Sequence, residues 1–201
     1  MNIRSAVRTH AAALTSAAAW LFLACPAALA ADAAAGQQKT QACVACHGAE
    51  GSSVLPVVPS LAGQPAQFIT TQLLMFREGR RKDAQMSPFA QGLSNADLNN
   101  IAAYFSVQKL TPPTANPDTA TMEAGARLAR QFNCTQCHGA TLLGQQHIPR
   151  LAGQQSEYLK TQLRGFRATT RFDMDGQMTS AAAALSDADI ETLSNYMAGL
   201  K

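Results

Sequence analysis

The sequence has few charged residues, and it lacks the patterns that are typical of nucleic-acid-binding proteins, membrane-surface proteins and β-sheet proteins. Only 14% of its 201 residues are charged, and no basic stripe of the nucleic-acid-binding type is present, so we expect no nucleic acid among its partners. The sequence also contains no basic amphipathic helix of the kind that would indicate binding to a membrane surface. No stretch alternates polar and apolar residues for long enough to form a strand, so the pattern predicts an all-α protein.

The first thirty residues are typical of an export signal. Arg4 and Arg8 form a basic start, an apolar stretch follows from about residue 17, and Ala28-Leu29-Ala30 offers a cleavage site. The apolar stretch is short and contains Pro26, which favours a cleaved signal over a membrane-spanning helix. A lipid-modified Cys25 is the alternative. We therefore predict a signal peptide at residues 1–30 and an exported mature protein.

Cysteine is scarce, and its placement is the main chemical signal in the sequence. Five cysteines are present, and after loss of Cys25 two C-x-x-C-H motifs contain the remaining four. Two thiols about one helical turn apart can form thioethers to one porphyrin, and the next histidine can bind its iron. Zinc would need four ligands, and a thioredoxin-like motif would need a βαβ context. The motifs predict two covalent haem c groups and no disulfide. Their residues are Cys43, Cys46 and His47, and Cys134, Cys137 and His138.

The sequence after the signal is an internal duplication with an offset of 90 to 92 residues. Besides the haem motifs, two other segments recur. They are P-x-L-A-G-Q at residues 59–64 and 149–154, and Q-L-x-x-F-R at residues 72–77 and 162–167. Each copy is small for an independent core, and a covalently held haem would supply the missing apolar volume.

A proline-rich stretch separates the two copies. Residues 111–118 contain three prolines, which cannot lie inside a helix and favour a semi-rigid, extended linker. The sequence thus predicts a first domain at residues 31–108, a linker at 109–120 and a second domain at 121–201.

Each copy predicts the same order of helices. A first helix leads into the haem motif, over about residues 33–46 and 122–137. A second helix begins near Pro65 in the first copy, because proline is favoured at the first helical position and apolar residues then follow at helical spacing. An irregular stretch with a methionine comes next, and the last helix begins with an S-x-x-D capping box at Ser94 or Ser186.

A methionine recurs where a second iron ligand is needed. Met86 lies 39 residues after His47, and Met178 lies 40 residues after His138. A thioether opposite histidine raises the reduction potential and fills the sixth position of the iron. Register favours Met178 over the nearby Met174, because Met86 and Met178 each stand eight residues before the capping-box serine.

Two further pairs recur near the predicted sites. The carbonyls of Pro59 and Pro149 are candidate acceptors for the second N–H of each iron-binding histidine, a bond that fixes the ring and raises its basicity. Arg77 and Arg167 are candidate partners of the haem propionates through a bidentate fork. A solvated helix face is the alternative role for both arginines.

With these residues in place, the chain resembles the dihaem cytochrome c4 family over nearly all of residues 32–201. The resemblance rests on both C-x-x-C-H-G motifs, both P-x-L-A-G-Q segments, both Q-L-x-x-F-R segments and both M-x7-S-x-x-D-[IL] endings. It implies two class I cytochrome c domains related by a pseudo-twofold axis, with the propionate edges of the two haems facing each other. It also implies a periplasmic carrier of single electrons, soluble or peripherally attached to a membrane, that often delivers electrons to a terminal oxidase.

Other redox roles remain alternatives at this point. The chain could be a dihaem subunit of a dehydrogenase. In either role, the candidate redox partners are an oxidase or a dehydrogenase. A dihaem peroxidase or a sulfur-oxidising enzyme is less favoured. A peroxidase needs an open iron position, whereas both copies offer a methionine and neither offers a spare distal histidine.

Overall fold

The computed structural model describes residues 30–201, so the predicted signal peptide lies outside the described residues except for Ala30. Over this range the fold is helical, as predicted, and its only β-type pairing is the isolated bridge between Gln145 and Ile148. The helices are α1 Ala33–Lys39, α2 Gln41–His47, α3 Ala66–Arg77, α4 Met86–Gln91, α5 Asn95–Ser106, α6 Thr119–Gln131, α7 Cys134–His138, α8 Ser156–Arg167, α9 Gln177–Ala182 and α10 Asp187–Gly199. None of these helices is long and apolar enough to cross a membrane.

The first helix of each copy is broken just before the haem motif, so the prediction of one continuous helix was wrong in both places. In the first copy, the hydroxyl of Thr40 donates to the carbonyl of Gln37 and competes with the helical backbone. In the second copy, Asn133 takes a left-handed conformation with φ 56°, which asparagine tolerates better than most residues. The break gives each C-x-x-C-H motif a short helix of its own, α2 or α7.

The first and last helices of each copy cross in close contact, at a glycine in both cases. A Cβ on Gly36 of α1 would lie 2.0 Å from the carbonyl oxygen of Asn100 in α5. A Cβ on Gly125 of α6 would lie 2.1 Å from the Cβ of Tyr196 in α10. Only glycine therefore allows the helices to approach this closely.

The chain has two separate hydrophobic cores, one in the first half (residues 31–108) and one in the second half (residues 121–201). The apolar faces predicted for the last helices are buried: Leu98, Ile101, Ala102 and Phe105 in α5, and Ile190, Leu193 and Met197 in α10. Both predicted capping boxes are present, with Asp97 and Asp189 at the third helical position. Two cores in tandem agree with the internal duplication.

The two halves nevertheless form one compact unit that spans residues 31–201. Their backbones form one reciprocal pair of hydrogen bonds, in which Phe68 N–H donates to Gln146 O and Tyr158 N–H donates to Pro56 O, both at 3.1 Å. The two bonds are related by an offset of 90 residues, as a pseudo-twofold axis requires. The linker has no helix before Thr119 and also contacts the first half, where Thr111 N–H donates to the hydroxyl of Ser52.

Candidate functional site

Both C-x-x-C-H motifs line the same cavity between the two halves, which has a volume of about 1880 Å³. Helices α2 and α7 end directly after the histidine, at Gly48 and Gly139, whose φ angles of 84° and 83° favour glycine. The cysteine thiols of residues 30–201 are all free. One cysteine of each motif is half-buried, whereas Cys46 and Cys137 are exposed.

Each motif histidine is buried and held by a proline carbonyl. Nδ1 of His47 lies 2.7 Å from Pro59 O, and Nδ1 of His138 lies 2.8 Å from Pro149 O. A carbonyl oxygen only accepts, so Nδ1 must carry the hydrogen, and Nε2 keeps its lone pair for a metal. Burial lowers the pKa of both histidines, and the hydrogen bond to the proline carbonyl opposes that shift. The site therefore favours a neutral imidazole, the form that binds iron.

The methionines predicted as ligands lie at the start of two short helices. The sequence predicted an irregular stretch at both places. Met86 is the first residue of α4, and Met178 is the second residue of α9. An aspartate fixes each backbone, because Met86 N–H donates to Asp83 Oδ1 at 2.8 Å and Met178 N–H donates to Asp173 Oδ2 at 2.7 Å. Both methionines are half-buried and line the cavity.

The two methionine candidates in the second half differ in packing. Met174 is 65% exposed, whereas Met178 packs against the hydrophobic core of its half. Both line the cavity. Burial therefore favours Met178, in agreement with the register argument.

Arg77 and Arg167 contact the start of the last helix in each half. The Arg77 guanidinium donates to the carbonyl of Leu93 at 2.9 Å, and that of Arg167 donates to the carbonyl of Leu185, also at 2.9 Å. Neither arginine lines the cavity. These bonds connect α3 to the start of α5 and α8 to the start of α10. Pairing of these arginines with haem propionates stays a prediction.

A second arginine pair, Arg81 and Arg171, does line the cavity. Their guanidinium carbons lie 4.5 and 4.4 Å from the ring centres of Phe76 and Phe166. Burial lowers the pKa of Arg171 to about 10. Its Nε is buried without a hydrogen-bond partner among the described residues. Arg81 was not identified from the sequence, although its match with Arg171 at an offset of 90 residues was a usable signal.

These features fit two haem c groups. Two thiol pairs, two imidazoles with an available Nε2 and two half-buried thioethers border one cavity, and guanidinium groups on its wall suit the carboxylates that haem carries. The fold and the site together define a c-type cytochrome with two haem sites.

Comparisons with known proteins support this class. A family model described as "Cytochrome c" matches residues 122–201, and one described as "Cytochrome C oxidase, cbb3-type, subunit III" matches residues 30–105. Cytochrome c4 of Thiocapsa roseopersicina is 40% identical over 181 residues, which cover 84% of this chain and 93% of that protein. The crystal structure of reduced recombinant cytochrome c4 from Pseudomonas stutzeri has a TM-score of 0.80 at 38% identity and covers 86% of this chain and 100% of its own.

A relative named for a particular redox reaction is also similar. The "Thiosulfate dehydrogenase electron acceptor" of Thiomonas intermedia is 34% identical over 191 residues, which cover 89% of this chain and 85% of that protein. The chain belongs to the cytochrome c4 family. It is an electron carrier and not an enzyme, it holds two covalently bound haem c groups, and it acts with redox partners. The family, the all-α fold of two cytochrome c domains and the cofactor are thus confirmed.

Proposed function

We propose that the protein carries single electrons in the periplasm, with His47 and Met86 as the ligands of one iron and His138 and Met178 as those of the other. The observation that carries this proposal is the paired hydrogen bond from each histidine Nδ1 to a proline carbonyl. That bond occurs in both halves and leaves Nε2 of each ring available. The four cysteines would hold the two haem groups through thioethers.

The residues around the sites then have separate tasks. Each haem, when bound, supplies an iron that alternates between the ferric and ferrous states. Pro59 and Pro149 fix the orientation of the imidazoles and raise their basicity. Met86 and Met178 provide a soft, neutral thioether, which favours the reduced state and keeps oxygen and peroxide from the metal.

A dehydrogenase is the electron donor that the comparisons favour. The relative from Thiomonas intermedia is named as the acceptor of thiosulfate dehydrogenase, and it aligns with nearly the whole chain. We propose that this protein accepts electrons from a dehydrogenase and passes them toward a terminal oxidase. The signal-like residues 1–30 support a periplasmic location, whether the mature protein is free or peripherally bound to a membrane.

Carbon monoxide tests whether the iron positions are closed. We expect the reduced mature holoprotein to show almost no change in its Soret band on addition of carbon monoxide, because a methionine fills the sixth position of each iron. A haem protein with an open sixth iron position serves as the positive control. Rapid binding by either haem would contradict the ligand assignment and favour the peroxidase alternative.

A further inference from the structure

The repeated P-x-L-A-G-Q segments bind each other across the pseudo-twofold axis through their glutamines. Gln154 accepts from Ser60 N–H at 2.7 Å and donates from its amide nitrogen to Ser60 O at 2.9 Å. Gln64 makes the same two bonds to Arg150, at 3.0 and 2.9 Å. Each glutamine side chain therefore forms hydrogen bonds with both the N–H and the carbonyl of one residue in the opposite half.

The residue bound by each glutamine, Ser60 or Arg150, directly follows the proline whose carbonyl accepts a hydrogen bond from the histidine. The N–H of Ser60 and the carbonyl of Pro59 belong to one peptide group, and that carbonyl bonds Nδ1 of His47 at 2.7 Å. Two hydrogen bonds through a single peptide group thus connect Gln154 in the second half to His47 in the first. An equivalent path runs from Gln64 through Arg150 N–H and the carbonyl of Pro149 to His138.

Hydrogen bonds that are connected in series through a peptide group strengthen one another. When the amide N–H of a peptide is bonded, its carbonyl oxygen becomes more negative and accepts more strongly. A stronger bond at Nδ1 makes the imidazole more electron-rich, which stabilises ferric iron and lowers the reduction potential. Water cannot easily replace the glutamine, because Ser60 is 1% exposed and Gln154 is 4% exposed.

We propose that Gln154 and Gln64 are positioning residues that set the hydrogen bond of the histidine in the opposite half, so that each half tunes the potential of the other half's haem. This inference rests on the assignment of His47 and His138 as iron ligands. The path into the first half has the shorter glutamine bond, 2.7 against 3.0 Å. Loss of Gln154 should therefore have the larger effect.

If Gln64 and Gln154 only held the two halves together, their replacement should have the same effect as replacement of the neighbouring Gln155. Gln155 also crosses between the halves, because its side-chain nitrogen donates to Ser53 O at 2.5 Å. It makes no bond to the peptide groups that follow Pro59 or Pro149. Gln155→Leu is therefore the matched control, since it removes one interface amide and leaves both paths to the histidines in place.

The test is a redox titration of the mature holoprotein, which contains both halves, with each haem followed separately. The amide NMR signals of each half shift when the iron in that half changes oxidation state, so they assign each midpoint potential to a half. In Gln154→Leu we expect the potential of the first half to rise and that of the second half to stay constant. Gln64→Leu should show the reverse, with a smaller rise, and Gln155→Leu should shift neither.

A second measurement reads the hydrogen bond directly. In the reduced, diamagnetic protein, the Nδ1–H proton of His47 should move upfield in Gln154→Leu, because its bond weakens. Equal potential shifts in all three variants, or a shift only in the half that carries the mutation, would overturn the inference. If one glutamine variant fails to fold, the other provides the mirror test. Absence of a histidine ligand in the unmutated protein would instead overturn the proposed function.

Discussion

At the scale of single residues, the clearest choice lies between the two methionines of the second half. Met178 has its N–H fixed by Asp173 and packs against the core, whereas Met174 is largely exposed between two aspartates. Moving Met174 to the iron would bring those carboxylates toward an apolar haem face, which is costly for charged groups. Both the register in the sequence and the packing in the fold therefore favour Met178.

We predict that Met178→Ala lowers the reduction potential of one haem sharply and lets that haem bind carbon monoxide when reduced. The physical reason is the loss of a thioether that favours ferrous iron and fills the sixth position. Met174→Ala is the matched control and should leave both haems closed. Absorbance spectra with carbon monoxide and a redox titration measure both effects. The opposite behaviour of the two variants would identify Met174 as the ligand.

At the scale of helices, the crossing of the first and last helix in each half depends on the absence of a side chain. Gly36 faces a backbone oxygen of α5, which cannot move aside as a flexible side chain can. The apolar spacing of α5 predicted which face is buried. Nothing in that spacing indicated how closely α1 approaches, because interhelical distance depends on which residues meet at the crossing.

We predict that Gly36→Ala destabilises the protein by about 1–3 kcal/mol, the usual cost of forcing extra volume into a packed contact. Gly92→Ala provides the control in the same half, since no atom lies within 4 Å of its added Cβ and its φ of −86° suits alanine. It should change the free energy of unfolding by about 0.5 kcal/mol at most. Thermal unfolding followed by far-ultraviolet circular dichroism measures both variants. Equal stability of the two variants would mean that α1 can move away from α5 at little cost.

At the scale of the whole molecule, two cores are combined in one compact unit. The proline-rich linker alone predicted two domains held close together. The structure adds reciprocal bonds between the halves, among them Phe68 N–H to Gln146 O and the two glutamine pairs. The halves are therefore connected by much more than the linker.

We predict that cutting the chain between Pro113 and Asn116 leaves two halves that stay associated and that each keep a haem spectrum. Each half has its own core and its own histidine, methionine and cysteine pair, so its coordination should survive. Size-exclusion chromatography and absorbance spectra of the cleaved protein, with uncut protein as the control, measure both properties. Loss of the methionine-ligated spectrum from either half would show that the halves are not autonomous.

The sequence by itself determined the chemistry of this protein. Haem attachment needs two thiols and a histidine at fixed local spacing. The motifs that begin at Cys43 and Cys134 therefore predicted two haem groups without any knowledge of the fold. Capping boxes and helical apolar spacing are equally local, and they predicted the all-α class and the last helices correctly. A duplication is visible by matching the chain with itself, which gave the order of the two domains.

Only the tertiary structure decided what lies between the two halves. The breaks come from a side-chain hydrogen bond of Thr40 and a left-handed backbone conformation of Asn133, neither of which the helical periodicity reveals. The placement of Arg81 and Arg171 on the cavity wall requires both halves to be packed together. Gln64 and Gln154 stand in a visible repeat, yet their partners Arg150 and Ser60 lie 86 and 94 residues away along the chain. Such contacts have no local pattern, because they arise from the pseudo-twofold packing of one copy against the other.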